Sequence, residues 1–318
     1  MSYNMNGGWG RIAADSVFSN RPNTGKKFLV IASTNANWDK WSQMNLPTDP
    51  ATGAVIIQST LQGAIDAVTD SGNDTIYVAP GHSETVTAAG GLAFSSTKTG
   101  VSVVGLGLGN QRPIINFTTA AGADIDVNCE GVTFDNMRFD LTGVDALTAP
   151  LDINDAYCSF LNCEFLTADV DGQTVLGILT DANADGLTVR NCYFKGSEHA
   201  GTTTAIRIVG GIDHVVENNV FIGAYTSGTG AIDNASLTAV DRTLIKNNFI
   251  WNTTEGSTKA MVWAVTSTVI ITGNNFQVDS GNQGGSPVTA AIGSWVGNNF
   301  YATVVATSVL MGTAGLKQ

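Results

Sequence analysis

Charge is scarce in this chain, and positive charge scarcer still: 13% of the 318 residues are charged, with 15 Lys and Arg against 27 Asp and Glu, for a net charge of −12. No cluster of Lys and Arg with interleaved aromatics occurs, so a nucleic-acid groove, which needs such a cluster to meet phosphate, is excluded. No stretch approaches the roughly 18 consecutive apolar residues that a membrane span requires. Met1 to Arg11 is polar and Gly-rich with no apolar h-region, so Sec secretion is not expected. The Asn-x-Ser/Thr tripeptides at Asn116, Asn234 and Asn252 are then chance matches. No segment keeps an i, i+3, i+4, i+7 apolar stripe for three turns, which disfavours a helical repeat. Cysteine is limited to Cys129, Cys158, Cys163 and Cys192, without the CxxC spacing of a zinc site.

What is present is glycine, 36 residues, and 43% hydrophobic residues, the composition of a turn-rich β protein with a long core. The motif Asn-x-x-Phe, or a close variant, returns through the C-terminal two thirds. Its last residue is Phe139, Phe165, Phe194, Phe221, Ile250, Phe276 and Phe300, at intervals of 26, 29, 27, 29, 26 and 24 residues. That period suits one coil of a parallel β-helix. Three residues before each anchor stand Asn136, Asn162, Asn191, Asn218 and Asn247, then Gly273 and Gly297. Asn and Gly share a tolerance of positive φ, so this position is read as a bend between two sheets. Five residues before the anchor the series Phe134, Phe160, Val189, Val216, Ile245, Ile271 and Trp295 alternates with polar neighbours, as in a strand with one buried face.

The expected fold is therefore all-β: a right-handed, single-stranded parallel β-helix over residues 74–302. Residues 1–26 form an N-terminal docking arm, 27–73 a lead-in with a short capping helix, and 303–318 a C-terminal cap or oligomer contact. Ser59 with Gln62 makes a capping-box pattern ahead of Leu61, Ala64, Ile65 and Val68, so the helix is expected to run to about Thr69 and to plug the open end. Trp38, Trp41 and the turn at Pro47 to Pro50 belong to the lead-in.

The strongest candidate site comes from the same repeat. Thirteen residues before the anchor stand Asp126, Asp152 and Asp181, each followed two residues later by Asn128, Asn154 and Asn183. Stacked carboxylates repel, so raised pKa values or a bound cation such as Ca²⁺ would relieve them, and paired acids also serve glycosidases. The competing reading is local satisfaction of turn backbone by Asp and Asn. The positive partners that a lyase or hydrolase would add, Arg138, Arg190 and Arg207, sit at inconsistent offsets. His82, in Gly81-His82-Ser83-Glu84, is read as a solvated turn histidine, and His199 and His214 carry less weight. Gly105-x-Gly107-x-Gly109 precedes no helix and reads as a coil corner rather than a phosphate loop. Cys163 and Cys192 share an offset that stacking would bring within disulfide reach, against the plainer expectation of buried free thiols. Trp251, Trp263 and Trp295 would stack sugars if they face outward.

The elements STLQGAIDAV, IYVAPGHSET and GVSVVGLGLGNQRPIINF, followed by β-helix coils, resemble a family of β-helix proteins encoded among virion genes of tailed bacteriophages. That resemblance implies a capsid decoration or cement subunit on the virion surface, assembled in the host cytoplasm, homotrimeric and seated on the major capsid protein, without enzymatic activity. LQGAIDAV with TIYVAPG is also similar to the first coil of pectinesterases and pectate lyases. Gly81-His82-Ser83-Glu84 does not fit their Gly-x-Tyr-x-Glu, and their later catalytic segments find no counterpart. The alternative is a tailspike-like polysaccharide lyase or hydrolase, or a non-catalytic adhesin for host glycan.

Overall fold

A computed structural model describes residues 25–32, 34, 56–167, 174–196, 202–226, 228–234, 240–254, 259–263, 267–278, 288–290 and 293–302. The expected arm up to residue 24, Trp38, Trp41, the Pro47 to Pro50 turn, His199 and the expected cap at 303–318 lie outside the described residues. The chain winds as a right-handed parallel β-helix whose strands fall into three sheets, of 11, 9 and 8 strands. Each coil visits the first sheet, then the second, then the third, and among the described residues the strands of neighbouring coils pair in parallel, with one isolated antiparallel bridge between Gly230 and Met261.

The sequence repeat maps onto this geometry position by position. The alternating series lies in the first sheet, where Phe134 pairs with Phe160, Phe160 with Val189, Val189 with Val216 and Val216 with Ile245. The anchors lie in the second sheet, where Phe139 pairs with Phe165, Phe165 with Phe194 and Phe194 with Phe221. Parallel register sets each ring on its counterpart: Phe165 and Phe194 stack with centroids 4.3 Å apart and an interplanar angle of 3°. Edge contacts such as Phe134–Phe139, 5.7 Å and 80°, knit the two columns into one core. Such ring pairs contribute about 0.5–1.5 kcal/mol each beyond their buried area.

Two residues join the first sheet to the second in seven successive coils, at 136–137, 162–163, 191–192, 218–219, 247–248, 273–274 and 297–298. The first residue of each pair has φ between 54° and 66°, the left-handed bend expected of Asn136, Asn162, Asn191, Asn218, Asn247, Gly273 and Gly297. The second residue points inward. From Asn219 onward it is asparagine, and Asn219, Asn248, Asn274 and Asn298 form a buried amide relay. The Oδ1 of Asn248 accepts from the Asn219 backbone N–H at 2.9 Å, that of Asn274 from Asn248 at 2.8 Å, and that of Asn298 from Asn274 at 2.9 Å. Each Nδ2 donates in turn to a backbone carbonyl of the first sheet, as Asn248 does to Val216 O at 2.9 Å. In earlier coils sulfur takes over: Asn219 Oδ1 accepts from Cys192 N–H, and Cys192 Sγ accepts from Cys163 N–H at 3.4 Å.

The capping helix spans Leu61–Ala67 and buries Leu61, Ala64 and Ile65 on the end of the core. Its N-cap is Thr60, whose Oγ1 accepts from Gly63 N–H at 3.1 Å, not Ser59. The expected cap is one residue early because Thr60, not Ser59, takes the extended N-cap backbone. Gln62 reaches away to Asp66 and Ala93 instead of back to the cap. The first sheet does not begin at Asp74. Lys27–Val30 pairs in parallel with Thr75–Val78, and Ile57–Gln58 pairs with Lys27–Val30 on the other side. Within Lys27–Val30 and Thr75–Val78 both faces are buried, since Leu29 and Tyr77 join Val104 in a second apolar cluster apart from the main core, against which half-buried Ile57 packs.

Candidate functional site

The third sheet carries the candidate acids on its outer face. Its strands Ile125–Val127 and Leu151–Ile153 put Ile, Leu and Val inward, so the intervening Asp126 and Asp152 point outward and pair directly with one another. Asp181 does not join them. The register sets Leu179 beside Asp152, and Asp181 falls one residue beyond the strand end, level with Asn154. The reason lies in the corner between the third and first sheets, which has five residues at 154–158 and seven at 181–187. Counting back from the anchor crosses those two extra residues and assigns Asp181 two positions too far along. The expected three-carboxylate ladder is thus two carboxylates long, followed by a leucine.

Asn154 ties the pair together from the next position: its Nδ2 donates to Asp126 Oδ1 at 2.8 Å and to Asn128 Oδ1 at 3.1 Å. Asp124, in the turn before the strand, accepts from Gly90 N–H at 2.5 Å. Asp181 accepts from the N–H of Ala182 beside it, which is the local turn role. Burial raises the pKa of Asp152, and the Asp126 and Asp124 carboxylates raise it further against the opposing hydrogen bond from Asn154. Asp124 is raised as well, mainly by burial. Among the described residues, no three His, Cys, Asp or Glu side chains converge on a position that would hold a metal ion.

The candidate cations are dispersed over three faces. Arg138 is on the second sheet, Arg190 on the first, and Arg207 on the third. Arg207 shares the outward column of Asp126 and Asp152 but is separated from Asp152 by Leu179, and it forms a two-pronged ion pair with buried Asp233, at 2.9 and 2.8 Å. Arg190 and Lys246 flank Glu217 along the axis at 3.2 and 3.4 Å. In these two columns the charged side chains of neighbouring coils neutralise each other, unlike the adjacent carboxylates of Asp126 and Asp152.

His82 corrects the expectation of a solvated turn. It is 3% exposed, and its Nε2 lies 3.1 Å from Glu84 Oε2, the oxygen that also accepts from Leu61 N–H at the start of the capping helix. The pair fixes the helix on the solenoid end. His214 is also buried, with Nδ1 accepting from Leu187 N–H at 3.2 Å and Nε2 2.9 Å from Gly210 O, an arrangement that fits the neutral imidazole. Gly105 and Gly107 do form a coil corner, with both carbonyls bound by Asn136 Nδ2 at 2.7 and 2.8 Å. All four cysteines are free and buried, and burial pushes the Cys129 and Cys158 thiols up to about 12. Asn234 and Asn252 are fully buried, which closes both tripeptides to a glycosyltransferase. Trp263 is in the core, Trp251 is on the outer face of the second sheet, and the backbone of Trp295 pairs with Ile271 at the inward position.

Sequence reasoning missed the amide relay and the Glu84 tether. The relay had a signal, the Asn-Asn doublets at 218–219 and 247–248, whose second members look solvent-facing until the bend is known to turn them inward. No protein-family model, curated protein or solved structure matches the chain.

Proposed function

We propose that this chain is a non-enzymatic structural protein of a tailed-bacteriophage virion, a decoration or cement subunit seated on the major capsid protein as a homotrimer. The observation that carries the structural half of this reading is the pairing of polar side chains along the axis: Arg207 with Asp233, Arg190 and Lys246 with Glu217, and the Asn154 amide with Asp126. Such paired columns stiffen a rod, and among the described residues the candidate cation in the column of Asp126 and Asp152, Arg207, is engaged by Asp233. The virion setting rests on the resemblance of STLQGAIDAV, IYVAPGHSET and GVSVVGLGLGNQRPIINF. The test is the location and copy number of the chain in purified particles. Hundreds of copies on the head support a decoration role; a handful at the tail overturn it.

A second reading, cleavage of a polysaccharide, is favoured by one observation: Asp126 and Asp152 are adjacent outward carboxylates, and Asp152 has the raised pKa of a proton donor. Incubation with capsule and pectin panels decides it. Cleavage by the wild-type protein that is lost in Asp152→Ala would replace the structural reading, and no cleavage by the wild type removes this rival.

A further inference from the structure

We infer that the outer face of the second sheet in the three coils that carry Tyr193, Val220 and Phe249 is a self-association surface, on which a second copy of this chain packs. Two independent observations carry the inference. The first is a change of chemistry along fixed columns. On the outer face of the second sheet, at the position before the inward anchor, Ile114 is followed by Arg138 and Glu164, then by an apolar run of Tyr193, Val220 and Phe249, and the last two coils return to amides at Asn275 and Asn299. In the column after the anchor Ile222 and Trp251 form a matching apolar pair, bounded by the exposed Lys195 on one side and Gln277 on the other. These apolar residues are not swallowed by the core: Tyr193 is 36% exposed, and Val220, Ile222, Phe249 and Trp251 are half-buried. On the first sheet Ile270, one coil beyond Phe249, is 52% exposed.

The second observation is the distribution of charge. Residues 56–187 hold 17 acidic and 3 basic side chains, whereas residues 188–302 hold 7 acidic and 6 basic. Nearly all the negative charge therefore belongs to the first half of the solenoid, which repels any like copy and attracts a basic partner. The apolar columns lie in the half that is close to neutral. A basic protein would be drawn to the other half, so the apolar run, in the half with little net charge, fits a second copy of itself. Contact there keeps the two acidic halves out of the interface. Contiguous apolar patches of this kind on an otherwise polar surface mark sites of association.

Sedimentation equilibrium of the full chain reads the proposal directly. The wild-type protein is expected to be multimeric at micromolar concentration and to remain so in 1 M NaCl, because screening removes residual repulsion and leaves apolar contact intact. Phe249→Lys and, separately, Val220→Lys should each weaken association at least about tenfold, roughly 1.4 kcal/mol. Glu164→Lys, in the polar part of the same column, should not. A melting curve for each variant checks that the coils remain folded. A monomeric wild type overturns the inference, as does a folded Phe249→Lys and Val220→Lys pair with unchanged association, or dissociation by salt alone. The inference rests on the self-association in the proposed function: a monomeric wild type removes both the homotrimer and this surface, unchanged association of the folded variants removes this surface alone, and the virion setting is read separately from particle location and copy number.

Discussion

Replacing Asn248 by alanine would cut the amide relay at its centre, and the size of the loss can be worked from its bonds. The side chain accepts from Asn219 N–H at 2.9 Å and from Asn219 Nδ2 at 3.0 Å, and donates to Val216 O and Asn274 Oδ1, both at 2.9 Å. Alanine strands the Asn219 N–H in a site without solvent, which costs about 1–3 kcal/mol, and forfeits three further bonds at about 0.5–1.5 kcal/mol each. The sum is about 3–7 kcal/mol. Asn247→Ala, one residue earlier, removes an exposed side chain at φ 55° and should cost only about 1–2 kcal/mol of left-handed strain. Asn248→Cys should fall between the two, because the Cys192 sulfur already receives a turn N–H at the equivalent place. Urea unfolding gives the ranking, and hydrogen exchange at the Asn219 amide gives the mechanism. If Asn248→Ala is no less stable than Asn247→Ala, or if the Asn219 amide keeps its protection, the relay is not a stabilising device and the reasoning fails.

Asp152→Asn should raise the melting temperature at neutral pH. A carboxyl whose folded pKa is raised is destabilising when ionised, so the wild type should gain stability as pH falls from neutral through the raised value, and the variant should not. His214 acts with the opposite sign: burial lowers its pKa, so its contribution is complete above about pH 6.5 and declines as pH falls below that value, a slope that His214→Gln should remove in thermal melts. Phe165→Ala should cost about 3–5 kcal/mol, since the ring stacks on Phe139 at 5.0 Å and Phe194 at 4.3 Å and its loss leaves a cavity in a fully buried column. Millimolar calcium should leave the melting temperature unchanged, because Asp126, Asp124 and Asp181 each already accept a protein N–H; a rise of several degrees would show that these carboxylates bind the ion.

Most of the fold was legible because one corner keeps its length through seven coils. From Thr133 onward two residues separate the first sheet from the second, so the bend asparagine or glycine, the anchor and the apolar residue five before it stay in step from coil to coil. The opposite corners vary in length, and there register is not written in spacing: Asp181 shares its offset from the anchor with Asp152 yet lies two residues out of step on the sheet. Polarity misled for a related reason. Asn248 and His82 are polar and near turns, and both are buried: Asn219, a coil away, completes the bonds of Asn248, and Glu84, itself held by the distant Leu61 N–H, meets His82. The outer columns were hidden until strand pairing assigned each residue a face. Only then does Phe249 fall beneath Val220 and Tyr193 in a single line.

The relay also has a direction, and direction matters to a chain made from its N-terminus. Every bend N–H from Cys163 to Asn274 is received by a side chain of the following coil, never of the preceding one. A nascent solenoid leaving the ribosome therefore carries one unanswered donor at its growing tip, and each newly added winding silences it while exposing another. Shortening the rod anywhere along this run would leave the same single vacancy, so the penalty for truncation there would be nearly independent of the length removed.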